Sequence, residues 1–390
     1  MVGNNVFGGD ERLYIVSKLL TLVFFFVVLL RIIQKGKVRV NQILLLPVIF
    51  TVYCAATALW AYSPNHVINK MVTQTQLLLL LIFTFWAMND SVTVLDYLKA
   101  VYVSGFGLAI FAIVRYGGLN EYMDVMLEGE RMGGEITNQN TFGMAFGNAA
   151  LSATYYFLIK KKRKHIVSFV LFALFAFSSG SRKAMLMIVA GIVFISVIHY
   201  GIRRMYRTLI IGTIVVIATI FALQLPYFST LAKRIERTLS GDQSISDRGR
   251  ESMIRFGLEM FKERPIFGFG IDNFRARYVT GQYSHNNYIE LMVSGGLVAL
   301  VMYYLMFLVP AVSLLLSKRK GENLPEMHLM LLVWLANELI FGWGMVQMYN
   351  KNSWLLAGVL MAESVHALGR GTALREDHDE TVEKIEESLE

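Results

Sequence analysis

Cysteine occurs once in this chain, as Cys54, so no intramolecular disulfide is possible and cysteine usage carries no redox signal. Charge is scarce: Asp, Glu, Lys and Arg make up 17% of the 390 residues, against about 25% in a typical soluble domain. His66, His165, His199, His328, His366 and His378 show no metal-ligand spacing. The segments read below as outward loops hold no Asp-x-Asp pair of the kind that binds a divalent ion with a sugar nucleotide. Asp377 and Asp379 have that spacing but belong to the C-terminal tail. No metal site is therefore expected, and any reaction should be metal-independent. A phosphate-binding P-loop and a dinucleotide fingerprint are also missing, so no cofactor is expected. No repeat period is evident. The N-terminus has neither a basic n-region nor a clear small-residue cleavage site, and no removable signal peptide is expected.

What the chain has is apolar sequence. Hydrophobic residues make up 55% of it, and the mean hydropathy is +0.49. Several runs approach the roughly 20 residues that cross a bilayer as a helix. The expected fold class is all-α: a polytopic transmembrane helix bundle of about 11–12 spans with a long, partly helical outward loop. The spans are read at about 13–33, 42–62, 71–88, 96–115, 141–159, 166–180, 183–200, 208–225, 286–308, 327–343 and 353–368. Residues 1–368 then form a single integral membrane domain, and about 369–390 an acidic cytoplasmic tail.

The net charge of +8 would suggest nucleic-acid binding in a soluble protein. Here much of it sets topology, and no nucleic-acid partner is expected. Lys35, Lys37 and Arg39 follow the first span, and Lys160 to Lys164 follow the fifth. Arg203, Arg204 and Arg207 follow the seventh, and Lys318, Arg319 and Lys320 the ninth. Alternation puts all four clusters on one side, which the positive-inside rule makes cytoplasmic. The N-terminus then lies outside.

Three segments face outward on this reading: about 117–140, the short Ser178 to Arg182, and the long loop at about 226–284. In the last, Leu231, Ile235 and Leu239 mark one short amphipathic helix. A second follows Ser246-Asp247 as N-cap. Met253, Ile254, Gly257, Leu258 and Phe261 form its apolar stripe. Arg248, Glu251, Arg255, Glu259 and Lys262 form its polar face, and Arg264-Pro265 ends it. Basic polar faces of this kind suit a membrane surface. Gly268-Phe269-Gly270 permits a tight turn.

The fifth, seventh and ninth spans begin at the outer face, so each turns its positive dipole end and free N–H groups outward. Arg131 and Asn138-Gln139-Asn140 precede the fifth, Ser181-Arg182 opens the seventh, and Ser284-His285-Asn286-Asn287 opens the ninth. Helix starts beside arginines are anion sites. Converging, they would hold a pyrophosphate. His285 is the candidate general base, because a position in a helix's first turn near arginines disfavours its cationic form. A neutral imidazole can take a proton from a sugar hydroxyl. Arg248, with Gly249 beside it, suits close phosphate approach. Arg250 and Arg255 are weaker candidates, since a basic face also binds lipid headgroups. Arg275 and Arg277 read as a solvated or headgroup-facing pair. Glu338 and Glu363 lie inside spans, where charges are functional suspects by default; they read as structural, and one of them could line a cavity or pair with Arg115. The bland alternative is an interfacial His285 and a snorkelling Arg182.

At these residues the chain resembles the O-antigen ligase and Wzy polysaccharide polymerase superfamily, most closely from about Arg131 to Leu300. The landmarks are Arg131 to Gly134 with Asn138 to Asn140; Ser179 to Arg182; Asp247 to Arg250; Pro265 to Gly270 with Asn273-Phe274; and Ser284 to Tyr288 leading to Gly295-Gly296. The resemblance implies an inverting, metal-independent glycosyltransferase at the outer face of the cytoplasmic membrane, with undecaprenyl-diphosphate-linked oligosaccharide as donor and a glycan as acceptor. It implies Arg182 and Arg248 as diphosphate-binding residues and His285 as catalytic base. Arg131 and Arg250 are additional diphosphate candidates, and Ser284, Asn286, Asn287 and Asn140 support the site. A flippase and a chain-length regulator would be natural partners alongside the bilayer.

Polymerisation of repeat units is the first reading of function. Ligation of a finished glycan to a terminal acceptor is the second. A lipid-linked oligosaccharide transporter is the alternative of another class. Transporters tend to show internal repeats and polar sites near the midplane, whereas here the polar residues gather at one face.

Overall fold

The computed structural model describes residues 11–36, 41–90, 92–128, 130–136, 138–201, 245–317 and 324–368. In chain order its helices are α1 (Glu11–Lys35), α2 (Leu45–Ala56), α3 (Pro64–Asp90), α4 (Val94–Arg115), α5 (Leu119–Leu127), α6 (Gln139–Thr154), α7 (His165–Ser178) and α8 (Arg182–Tyr200). Then come α9 (Ile245–Glu263), α10 (Asn273–Arg277), α11 (Asn287–Leu316), α12 (Glu326–Gly342) and α13 (351–368). Short 3-10 turns, Gln42–Leu44 and Thr57–Leu59, flank α2, and a π turn, Tyr155–Ile159, extends α6. No strand occurs among the described residues.

The protein is a multi-pass, all-α membrane protein. Among the described residues, five segments are long and apolar enough to cross a bilayer: Gln42–Leu59, Pro64–Asn89, Val94–Arg115, Arg182–His199 and Asn287–Leu316. Each span expected from sequence coincides with a described helix, except 208–225, which lies outside the described residues. The expected helix around Leu231, Ile235 and Leu239, the acidic tail and three of the four basic clusters (Lys37-Arg39, Arg203-Arg207 and Lys318-Lys320) also lie outside them. Large apolar side chains stand exposed along the spans, such as Leu20, Phe26, Val52, Val72, Ile110 and Val189. A continuous apolar exterior of this kind suits lipid, not water.

Two compact units make up the chain. The first holds residues 1–27, 95–249 and 336–341; the second holds residues 28–94, 250–335 and 342–390. In the first, α4, α6, α7 and α8 pack around Phe142, Phe146, Phe172 and Phe175, all buried. The Phe146 and Phe175 rings stack at 4.7 Å. Small residues let these helices touch: a Cβ on Gly143 would fall 2.3 Å from Ser179 Oγ, and one on Gly191 2.3 Å from Leu151 Cδ2. Transmembrane helices gain their contact energy from such close approach. Arg115, at the end of α4, pairs with Glu135 at 3.4 Å. Glu135, not Glu338 or Glu363, is thus the acidic partner of Arg115. Glu363, in the second unit, bonds instead to His328 at 3.1 Å.

In the second unit α11 is broken. Gly295 has φ −140° and Gly296 has φ 65°, ψ −159°. A break inside a membrane frees backbone groups that lipid cannot satisfy. Residues 265–270 supply the partners. Phe269 N donates to Val293 O and Gly270 N to Ser294 O, each at 2.8 Å, while Leu297 N donates to Pro265 O at 2.8 Å. Tyr53 Oη donates to Gly295 O at 2.7 Å. The turn expected at Gly268-Phe269-Gly270 is present, with φ 63° at Gly268 and 98° at Gly270. It serves as a plug for the helix break.

Helix α9 departs from expectation at two places. Ser246 and Asp247 are its second and third residues, not its cap. The buried stripe is Met253 and Met260 with Ile254 and Phe256 partly covered, whereas Leu258 is exposed. Gly257 explains the shift, because a Cβ there would lie 2.2 Å from Ile289 Cγ2 of α11. The helix contacts α11 where it has no side chain.

Candidate active site

The first unit positions three of the expected residues around two helix starts. Asn138 caps α6, accepting from Asn140 N at 2.9 Å. Ser181, extended at φ −85°, caps α8 by accepting from Ala184 N. Arg182 is the first residue of α8 and is exposed. Arg131 ties the starts together: its Nε donates to Ser179 O at 3.1 Å, and a terminal nitrogen donates to Asn140 Oδ1 at 3.2 Å. Met132 N donates to Ser178 O at 3.0 Å. Tyr122 Oη lies 2.6 Å from Ser178 Oγ, and burial keeps its hydroxyl protonated well above the ordinary tyrosine range. Two positive helix ends and two guanidinium groups thus meet on one short turn, an arrangement that attracts an anion. Arg131 spends part of its hydrogen-bonding capacity on the protein itself, so it frames this turn.

Arg248 is exposed on the first part of α9. Beside it, Gly249 has no heavy atom of the described residues within 4 Å of where a Cβ would stand. Packing does not demand glycine there. Arg250 is half-buried, and Arg255 pairs with Glu251 at 3.2 Å on the exposed face.

The second unit carries the turn before α11. His285 precedes the helix instead of lying in its first turn, since Asn286 is the cap and Asn287 the first helical residue. That corrects the sequence expectation. His285 is exposed while Ser284, Asn286 and Asn287 are buried. Its φ is 52°, in the left-handed region, which costs a residue with a side chain about 1–3 kcal/mol. The neighbours hold it there. Asn286 Oδ1 accepts from Tyr288 N at 2.9 Å and Ile289 N at 3.1 Å. Ser284 Oγ lies 2.8 Å from the Asn286 carbonyl and 2.8 Å from Glu290 Oε2, and Ser284 N donates to the same carboxylate oxygen at 3.1 Å.

Asn287 reaches the other way. Its Oδ1 accepts from Gln347 N and Met348 N, both at 2.8 Å, and its Nδ2 donates to Tyr304 Oη at 3.0 Å. Substituting Ala would leave two buried N–H groups unpaired, at roughly 1–3 kcal/mol each. Asn287→Ala is therefore expected to lower the melting temperature of the detergent-solubilised protein clearly. Asn287→Asp, which keeps an acceptor, should lower it less.

Several residues escaped the sequence reading. Asp272, buried and left-handed at φ 61°, lies 3.3 Å from His66 Nδ1 and 3.6 Å from Arg275. Its N–H donates to Tyr349 Oη at 3.1 Å, and burial raises the Tyr349 hydroxyl well above its ordinary range. Lys70 Nζ donates to Tyr283 Oη and sits 4.0 Å from the Tyr349 ring centre. Arg275 and Arg277 are not a solvated pair. Arg275 donates to Tyr283 Oη at 3.2 Å and forms an ion pair with Asp272 at 3.6 Å. Arg277 pairs with Glu263 at 3.0 Å and covers the Phe269 ring. An acidic residue inside an apolar span was a signal that could have found Glu290. Nothing local marks Asp272 or Lys70. No group of three or more His, Cys, Asp or Glu suited to a metal ion occurs among the described residues.

No curated protein matches the chain. Residues 167–304 match the family model described as O-Antigen ligase. The matched stretch contains Arg182, Arg248, His285 and the Gly295-Gly296 break, and it leaves Arg131 and Asn140 outside. Over that stretch, about a third of the chain, the sequence is similar to the O-antigen ligase family, in keeping with a membrane protein of the O-antigen ligase and Wzy polymerase type.

Proposed function

We propose that the protein transfers glycans from undecaprenyl diphosphate at the outer face of the cytoplasmic membrane, polymerising repeat units of a surface polysaccharide. The observation that carries this reading is the turn at His285. Ser284, Asn286 and Asn287 beside it are buried, whereas His285 is exposed. Arg182, on the positive end of α8, and Arg248 grip the donor diphosphate, with Arg131 and Arg250 adding charge. His285 takes the proton from an acceptor hydroxyl. That oxygen attacks the anomeric carbon from the face opposite the leaving group. The bond from the anomeric carbon to the phosphate oxygen breaks, and undecaprenyl diphosphate leaves with the electron pair. Guanidinium groups stabilise the charge that develops on it, and holding donor and acceptor together supplies much of the rate. The step is inverting and assigns no role to a metal.

The description of the matched family favours a second reading, ligation of a finished glycan to a terminal acceptor. The surface glycan of a deletion strain separates the two. Single repeat units left on the lipid carrier are the expected result for a polymerase. Long polymer stranded on the carrier supports ligation. Unchanged surface glycan excludes both.

A further inference from the structure

We propose that Glu290 is a positioning residue, which fixes the outward pose of His285 by anchoring Ser284 from beneath. The inference rests on the reading of His285 as the base. Glu290 is completely buried in the first turn of α11. Burying a carboxylate is costly unless it is well bonded. Here the positive helix end offsets part of that cost, and Oε2 receives Ser284 N at 3.1 Å and faces Ser284 Oγ at 2.8 Å. Oε1 has no hydrogen-bond partner among the described residues. An apolar residue would complete the helix packing without any of this, so the carboxyl group does something that packing does not require.

What it does follows from the chain between the two contacts. Ser284 and Asn286 are the residues on either side of His285. Ser284 is fixed by Glu290, and Asn286 is fixed as the cap of α11. Asn286 N also donates to Ser284 Oγ at 3.3 Å. The loop between two clamped neighbours has little freedom, and His285 is held at φ 52° against its own preference. Release of Ser284 would leave a buried N–H unpaired and let the turn relax to an ordinary negative φ. The imidazole would then leave its pose. A displacement of about 1 Å at a reacting group can cost about 100-fold in rate.

The test uses the full-length protein in membrane vesicles, with a defined lipid-diphosphate-linked glycan and saturating acceptor. Glu290→Leu should lower kcat about 100-fold and change KM for the donor little. Glu290→Gln keeps an acceptor oxygen and should recover most of that rate. Ser284→Ala should lower kcat about tenfold, and it decides the matter if Glu290→Leu fails to accumulate. In the His285→Ala background, adding Glu290→Leu should cause no further loss, because the residue acts only through the imidazole. An inactive His285→Ala protein together with wild-type kcat in Glu290→Leu or Ser284→Ala overturns the proposal. So does an equal further loss in the double variant. Wild-type activity in His285→Ala overturns the reading of the base instead.

Discussion

Replacing His285 by Ala is expected to lower glycan transfer by about 10²–10⁴-fold, the usual contribution of a positioned general base, while the protein remains in the membrane at its normal level. Both halves follow from the turn. His285 is exposed, so its removal empties no core. Its left-handed φ of 52° is a strain that Ala relieves no better, and Gly would relieve it fully. Stability in His285→Gly should therefore equal or exceed that of the native protein, with activity still lost. Opposite responses of stability and activity at one position identify a site where strain serves function. Transfer assays and detergent melting curves on the two variants read both. Normal polymer length and yield in His285→Ala would reject the assignment.

A loss of the folded protein is expected from Gly296→Ala. A Cβ there would stand 2.2 Å from the Ile266 carbonyl oxygen. The backbone, at φ 65° and ψ −159°, lies in a region that is essentially glycine's alone. Two penalties then act at one point: backbone strain and the separation of residues 265–270 from the broken helix. The second would strip partners from Val293 O, Ser294 O and Leu297 N in a span of the membrane. The cost should be at least ~3 kcal/mol, enough to deplete the mature protein or to lower its melting temperature sharply. Gly249→Ala is the natural control, since no heavy atom of the described residues lies within 4 Å of its Cβ position in the helix, and it should raise stability by about 0.5–1 kcal/mol. Equal melting of Gly296→Ala and the native protein would show that the plug is not required.

Much of this architecture was readable before any coordinates. Long apolar runs announce spans, and cap residues announce starts: Asn138, Ser181 and Asn286 all cap the helices expected to begin beside them. The candidate site residues were legible as polar types beside helix starts. Their division of labour was not. The sequence marks Ser284, Asn286 and Asn287 as supports beside His285 but not that they are buried and bond to the chain. Which of four adjacent polar residues projects depends on a positive φ that only tertiary contacts impose.

The same limit explains the other misses. The Gly295-Gly296 break is stabilised by residues 265–270, and a pairing at that separation leaves no periodicity in either segment. Asp272 depends on His66 and Tyr349, which come from distant parts of the chain. Arg275 and Arg277 resemble any surface basic pair until Tyr283 and Glu263 are placed beside them. The start of α9 moved because Ser246 and Asp247 serve as well in a first turn as at a cap, and helix ends shift easily by one or two residues.

Transfer by the purified protein itself tests the central claim most directly. The protein would be reconstituted in lipid vesicles with a synthetic undecaprenyl-diphosphate-linked repeat unit and a metal chelator. The account predicts longer glycan chains and one undecaprenyl diphosphate released per bond formed, with both lost in His285→Ala and Arg182→Ala. A donor that stays intact with the native protein, or transfer that stops whenever the chelator is present, would contradict it.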